Sequence, residues 1–206
     1  ITVVCRKGLK ITSADNTMAL DINKEGRVVL TGFPATIDKE DCRSMGVYVF
    51  NRDKLIEIVK NSYETGGDTI NDDLISANLE TLKVMAYEHK GYAAIMDCPK
   101  AYRRANFELL NADVRKDLFN SERPVYTKTR DDMPTRYGTQ SSVNNSLIAE
   151  GCVIEGTVKN SVLFRGVKVE KGAVVENSIL MQGVTVNENA QLDNVVSDKN
   201  ATVSAG

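Results

Sequence analysis

Residues 162–178, VLFRGVKVEKGAVVENS, and residues 179–195, ILMQGVTVNENAQLDNV, are the stretch that decides the fold. Laid one above the other, they put Val162 over Ile179, Leu163 over Leu180, Gly166 over Gly183, Val169 over Val186 and Ala173 over Ala190. A third, partial copy from Val196 keeps Ala201 and Val203 in register but sets Ser197 beneath Leu163 and Leu180. Small or aliphatic residues recur at steps of five or six, at Val162, Val167, Ala173, Ile179, Val184, Ala190, Val196 and Ala201. A second aliphatic follows two places after most of them. Hexapeptide periods of this kind signal a β-solenoid. Each period supplies a short strand whose residues two apart share a face. Three strands close a triangular coil, which buries its apolar stripe only by stacking on neighbours. The run SLIAEGCVIEGTVKNS at 146–161 joins the series with a coil about two residues short near Gly156. The pattern predicts a left-handed parallel β-helix over residues 143–206; irregular antiparallel strands with chance spacing are the alternative. It places the file Val162, Ile179, Val196 inside and the file Leu163, Leu180, Ser197 outside, with Gln182 at the surface. Gly166 and Gly183, with Asn200 at the same position, read as tight corners, because Gly and Asn tolerate positive φ.

A chain of 206 residues allows one large or two small domains. The 42% hydrophobic and 26% charged residues are those of a soluble globular protein. A net charge of -2 with mixed signs argues against nucleic acid or a membrane surface as the main partner. No apolar run approaches the ~18 residues needed to span a bilayer, and no signal-peptide pattern opens the chain. Cys5, Cys42, Cys98 and Cys152 are far apart in sequence, with no CxxC pair and a single histidine, His89. They read as reduced thiols of a cytoplasmic protein, not as a disulfide frame or a zinc site.

ITVVC at 1–5 is a continuous β-branched run, the pattern of a strand buried on both faces of a parallel sheet. Such a strand needs neighbours, so the chain is expected to be a fragment lacking an N-terminal section. Strands at 18–22 and 27–31 flank a good turn sequence, Asn23-Lys24-Glu25-Gly26. SMGVYVF at 44–50 is a further strand, and Asn51 caps a helix over 52–63 with Leu55, Ile58 and Val59 on one face. A short helix over 71–79, a hairpin of 83–89 with 92–96, and a helix from Pro99 to about 111 follow. Residues 123–142, with Pro124 and Pro134, read as a linker. The expected fold class is therefore α/β plus β: a domain over 1–122, the linker, and the β-helix.

This order resembles the second half of the sugar-nucleotide pyrophosphorylases, specifically the glucose-1-phosphate adenylyltransferase family. SMGVYVFN at 44–51, TINDDLIS at 69–76, GYAAIMDCPKAYRRAN at 91–106 and NSLIAEGCVIEGTVKNSVLFRGVKV at 145–169 carry the resemblance. It implies the second half of a Rossmann-like nucleotidyltransferase domain followed by the β-helix. It also implies a reaction joining ATP to glucose 1-phosphate with Mg²⁺, which yields ADP-glucose for glycogen or starch synthesis.

The departures point the other way. Active members carry a Glu-Lys-Pro triplet whose lysine holds the sugar phosphate, and here Phe33 precedes Pro34. Laying GYAAIMDC on the family's Gly-Tyr-Trp-x-Asp-Val-Gly-Thr puts Ile95 at the Mg²⁺-binding aspartate and Asp97 at the glycine. Asp72 is a further departure. Phosphoryl transfer relies on placed cations and carboxylate-held Mg²⁺ to absorb transition-state charge. The catalytic positions Phe33, Asp72 and Ile95 therefore read as degenerate, and no metal is expected on this fragment. The pattern is similar to that of the GlgD-type subunits of Gram-positive bacteria, which assemble with a catalytic subunit and modulate it. Ser44 matches a glucose-contacting serine and is the candidate for a vestigial sugar-phosphate pocket.

The resemblance thus implies a non-catalytic, regulatory or assembly subunit, partnered with a catalytic one in homo- or hetero-oligomers through the β-helix. Two other readings stand beside it: a catalytically active, divergent sugar-phosphate nucleotidyltransferase, and a hexapeptide acyltransferase. The acyltransferases use a histidine at a coil edge, and the solenoid stretch contains none. Lys100, Arg103 and Arg104 are candidates for attracting phosphate, or simply a solvated helix face.

Overall fold

A computed structural model describes residues 1–9, 17–32, 42–67 and 69–205. The chain divides into two compact units, Ile1–Ala101 and Tyr102–Gly206.

The first unit is an α/β fold around a five-stranded sheet. Its strands are β1 (Thr2–Lys7), β2 (Ala19–Ile22), β3 (Val28–Gly32), β4 (Cys42–Val49) and β5 (Met85–Glu88), in the order β3-β2-β4-β1-β5. Asn23 builds the β2–β3 turn: its Oδ1 accepts from the N–H groups of Glu25 and Arg27, and Gly26 supplies the positive φ of 78°. Val3, Cys5, Met18, Leu20, Val28, Cys42, Ile75 and Val84 form the core. Asn51 caps α1 (Arg52–Glu64) by accepting from Asp53 and Lys54 N–H.

Several expectations for this unit need correction. The sheet is mixed: β1 pairs antiparallel with β4 and parallel with β5. Val3 and Cys5 are buried while Thr2 and Val4 are half-buried, so β1 alternates and is not buried equally on both faces. The hairpin at 83–96 forms only its first strand. One edge of β5 is taken by β1, and on the other Ala86 N–H donates to Gly26 O at 2.9 Å and Val28 N–H to Val84 O at 2.9 Å. The second edge is thus met at Met85 by Arg27 from the β2–β3 hairpin, and residues 92–97 run irregularly into α2 (Pro99–Glu108). On α1, Ile58 is buried and Leu55 half-buried, but Val59 is exposed. The expected short helix is a π-helical turn at Ile70–Ile75 followed by one 3₁₀ turn at Ser76–Asn78.

The second unit holds the end of α2, α3 (Ala112–Leu118) and the solenoid. The coils are built from β6 (Arg136–Tyr137), β7 (Ser142–Asn144), β8 (Leu147–Ile148), β9 (Val153–Ile154), β10 (Thr157–Lys159), β11 (Val162–Leu163) and β12 (Lys168–Val169). They continue through β13 (Val174–Glu176), β14 (Ile179–Leu180), β15 (Thr185–Val186), β16 (Gln191–Asp193), β17 (Val196–Ser197) and β18 (Thr202–Val203). These strands form three parallel sheets, one per side of the triangle: β16-β13-β10-β7, β17-β14-β11-β8 and β18-β15-β12-β9-β6. Val162 pairs with Ile179 and Val169 with Val186, the 17-residue repeat read from the sequence. This is the hexapeptide-repeat, left-handed parallel β-helix. Its first strand, β6, lies within the stretch read as a linker, because Arg136 and Tyr137 already pair with Val153 and Ile154.

On one side the inward file differs from the expected one. The interior cluster contains Leu163 and Leu180, with Ile148 packed against it, and does not contain Val162 or Ile179. Val162 and Ile179 are buried outside that interior, and Val196 of the same file is 42% exposed. The reason is a left-handed asparagine at the preceding corner. Asn145, Asn160, Asn177 and Asn194 have φ between 42° and 61°, and each swings the next residue inward. Ser161 and Ser178 follow two of these asparagines and are fully buried. Each serine Oγ bonds twice: Ser161 donates to Lys159 O and accepts from Ser178 N–H, and Ser178 donates to Glu176 O and accepts from Val195 N–H. A hydroxyl buried with both functions satisfied costs little to keep there. The glycine corners do take positive φ, at Gly151, Gly166 and Gly183, with Asn200 completing the column.

Candidate functional site

On β4, Ser44 is almost fully buried, and its Oγ accepts from Gly46 N–H at 3.2 Å. The same oxygen lies 3.2 Å from the Tyr48 hydroxyl, which in turn donates to Asn71 Oδ1. Gly46 sits at φ 71°, a kink that lets the backbone turn back to the serine. From Asn71 the network continues: its carbonyl accepts from Ser76 Oγ at 2.9 Å, and Ser76 accepts from Thr31 Oγ1 at 2.8 Å. Ser44 is thus one end of a polar chain running from β4 through the π-helical turn to β3. Ser44 Oγ therefore already has hydrogen-bond partners within its own strand. Tyr48 and Asn71 were not singled out in the sequence, since nothing in a Tyr or an Asn there marks a partner 23 positions away.

Asp72 is exposed, and its N–H is capped by Thr69 Oγ1. Thr69 N–H and Oγ1 in turn donate to Asp73 Oδ2. Phe33 lies outside the described residues. Ile95 is half-buried in the irregular stretch before α2. Both carboxylate oxygens of Asp97 are buried and lack a hydrogen-bond partner among the described residues. The backbone N–H of His89 donates to Cys5 O at 2.8 Å, and its ring Nε2 lies 3.4 Å from Tyr92 O. Arg103 donates to Asn177 O at 3.3 Å and stacks 4.5 Å over the Phe107 ring, so this guanidinium is occupied within its own unit. Lys100 is exposed.

On the solenoid, a groove of about 420 Å³ runs along the glycine column, lined by Arg130, Asp132, Arg165, Gln182 and Asn200. Arg165 Nε is 3.6 Å from Asp132 Oδ2, so the carboxylate offsets one of the two positive charges, Arg130 and Arg165, in the groove. Gln182 lines this open groove, at the surface as expected.

Residues 131–206 match the family described as GlmU-like, C-terminal hexapeptide. The glycogen biosynthesis protein GlgD of Bacillus subtilis (strain 168) is 37% identical over 133 residues, covering 65% of this chain and 38% of that one. GlgD of Geobacillus stearothermophilus is 42% identical, covering 50% of this chain and 37% of that one. This chain is related to GlgD. The glucose-1-phosphate adenylyltransferase of Geobacillus stearothermophilus is 33% identical over 159 residues, 76% of this chain and 41% of that one. The chain spans about two fifths of the length of the curated relatives it matches.

Against the adenylyltransferase pattern, the residues at 91–98 do not fit Mg²⁺. The ion demands oxygen ligands in near-octahedral array, and Ile95 offers none. Asp97 is the one carboxylate of that stretch. Among the described residues no three His, Cys, Asp or Glu side chains gather to hold a metal.

Proposed function

We propose that this chain belongs to a regulatory or assembly subunit of glucose-1-phosphate adenylyltransferase, itself non-catalytic, acting in glycogen biosynthesis in the cytoplasm. The observation that carries this reading is Ile95 at the position where the resemblance puts a metal-binding aspartate. Phe33, in place of the phosphate-holding lysine, supports it from the sequence. Removing one preorganised charge stabiliser from a site costs about 10²- to 10³-fold in rate, and two such losses compound. Mg²⁺ and the chemistry then belong to a catalytic partner subunit. Full-length protein, assayed alone with ATP, glucose 1-phosphate and Mg²⁺, is expected to release no appreciable pyrophosphate. It should change the rate of a catalytic subunit when the two are mixed. Pyrophosphate release by the protein alone, at the rate of the catalytic subunit, would sink this reading. It would favour the divergent active enzyme, for which the unpartnered Asp97 carboxylate is the supporting feature.

The partner surface we assign to the solenoid. Of its three sides, one carries apolar residues outward: Val162 and Ile179 are already covered within the chain, while Leu147 and Phe164 are half-buried and Val196 is exposed. Outward positions on the other two are mostly polar, such as Lys159, Glu176, Lys168 and Thr185. Deleting everything after Ser142 from the full-length protein is expected to abolish co-elution with the catalytic subunit on size exclusion. Unchanged co-elution would place the interface on the α/β unit.

A further inference from the structure

We propose that Cys5 and Cys42 are a modification site: a reversible disulfide, formed by peroxide, that ties β1 to β4 in the middle of the α/β sheet. In the antiparallel β1–β4 ladder Cys5 lies opposite Ser44 and Cys42 opposite Lys7. The two cysteines are therefore diagonal neighbours on one face, and both point into the core. Their sulfurs are 2.9 Å apart, inside the ordinary non-bonded separation of about 3.5–4.0 Å between heavy atoms. Closing to a bond length of about 2.0 Å brings the sulfurs together by about 0.9 Å. Both are free thiols.

The two sulfurs differ in access: Cys42 is 6% exposed and Cys5 is wholly enclosed, so Cys42 is the one a small oxidant meets first. The hydrogen bond between them lowers the Cys42 pKa despite its burial, and the same bond, then burial, raise Cys5, which agrees with that order. The same narrow access selects the oxidant. A molecule the size of hydrogen peroxide enters on small fluctuations, where a bulky disulfide needs the sheet to open. The Cys42 thiolate attacks one peroxide oxygen. An S–O bond forms, the O–O bond breaks, and the departing hydroxide takes up the proton Cys42 lost, giving water. Cys5 then attacks the sulfenic sulfur. The S–S bond forms, the S–O bond breaks, and hydroxide leaves with the Cys5 proton as a second water. Two thiols are oxidised together by two electrons, and one peroxide is reduced. The other cysteines lack this arrangement. Cys152 is buried with its thiol pushed up by that burial and directed at Phe164 O, 3.2 Å away. Cys98 accepts from Ala101 N–H.

The test is peptide mapping of the intact chain after brief treatment with hydrogen peroxide, blocking of remaining thiols in denaturant, and tryptic digestion. The expected product is the tryptic peptide that ends at Arg6 and carries Cys5, joined through sulfur to EDCR, residues 40–43. Its mass should be two hydrogens below the sum of the two peptides, and dithiothreitol should release both. Recovery of both peptides as blocked thiols, or linkage of Cys42 to Cys98 or Cys152, would overturn the proposal. In a Cys5→Ser variant, Cys42 should proceed to the sulfinic acid instead. If that variant fails to fold, the wild-type map alone still decides.

Discussion

Leu180→Asp should destroy the cooperative melt of the solenoid, while Val196→Asp should leave it almost where it was. Leu180 is fully enclosed and belongs to the interior cluster, where it packs with files of valine, leucine and alanine from the other two sides. Nothing in that interior pairs with a carboxylate: the buried hydroxyls of Ser161 and Ser178 already spend their hydrogens on Lys159 O and Glu176 O. An unpaired buried charge costs several kcal/mol even after it neutralises by taking up a proton. Such a cost is a large share of the ~5–15 kcal/mol that holds a typical domain together. Val196 belongs to the outward file and is 42% exposed, so a carboxylate there stays in water. Its effect should fall within about 0.5 kcal/mol, the usual range for surface sites. Thermal melts of the two variants decide between the two registers. If Val196→Asp collapsed and Leu180→Asp did not, the inward file would be the other one.

The second large effect is expected at Gly156, through geometry rather than charge. A Cβ there would lie 2.3 Å from Ala173 O and 2.7 Å from Glu170 O. Both atoms are backbone and both are held: Ala173 O accepts from Thr157 N–H at 2.8 Å, and Glu170 O from Ala173 N–H at 3.1 Å. Ala173 O cannot yield without breaking a bond between coils, nor Glu170 O without breaking the turn that bonds it to Ala173. Gly156→Ala should therefore cost at least the upper part of the ~1–3 kcal/mol seen for overpacked cores. At a few degrees per kcal/mol for a chain of this size, the melting temperature should drop by about 10 °C. Gly166→Ala is the control. It meets nothing within 4 Å and carries only the strain of φ 68°, about 1–2 kcal/mol. Equal melting temperatures for the two variants would mean that the short corner has room the structure denies it.

The 17-residue repeat, the strand positions and the glycine corners were all legible because each depends on neighbours close in sequence. The inward file on the asparagine side was not. A step of five between aliphatics says that the chain turns, but not how the turn rotates the following residue. That rotation comes from the sign of φ at Asn160 and Asn177, which asparagine permits without declaring. In the α/β unit, the missing second hairpin strand was illegible for a different reason. Tyr92–Met96 has strand composition, but the edge of β5 around Met85 is met by Gly26 and Val28, far away in the chain. The site shows the same division. Ile95 and Phe33 stand out by identity alone, whereas the Ser44–Tyr48–Asn71 network and the Cys5–Cys42 pair exist only once strands and turns are brought together.

The corners of the solenoid also govern which length changes it survives. From Val169 to Val175 the inward files on neighbouring sides are six residues apart, but from Ile154 to Val158 only four. Two residues are absent at that corner, yet every later side chain still faces the same way, because an even deletion preserves the alternation of a strand. An odd change would turn each following strand inside out, unless a residue able to adopt positive φ stood at the corner to restore the phase. The asparagine side is such a case, with its five-residue step from Val175 to Leu180 through Asn177. Insertions and deletions in this family of coils are therefore filtered by parity. Pairs pass at any roomy corner, single residues only beside an asparagine or glycine, and whole coils pass freely.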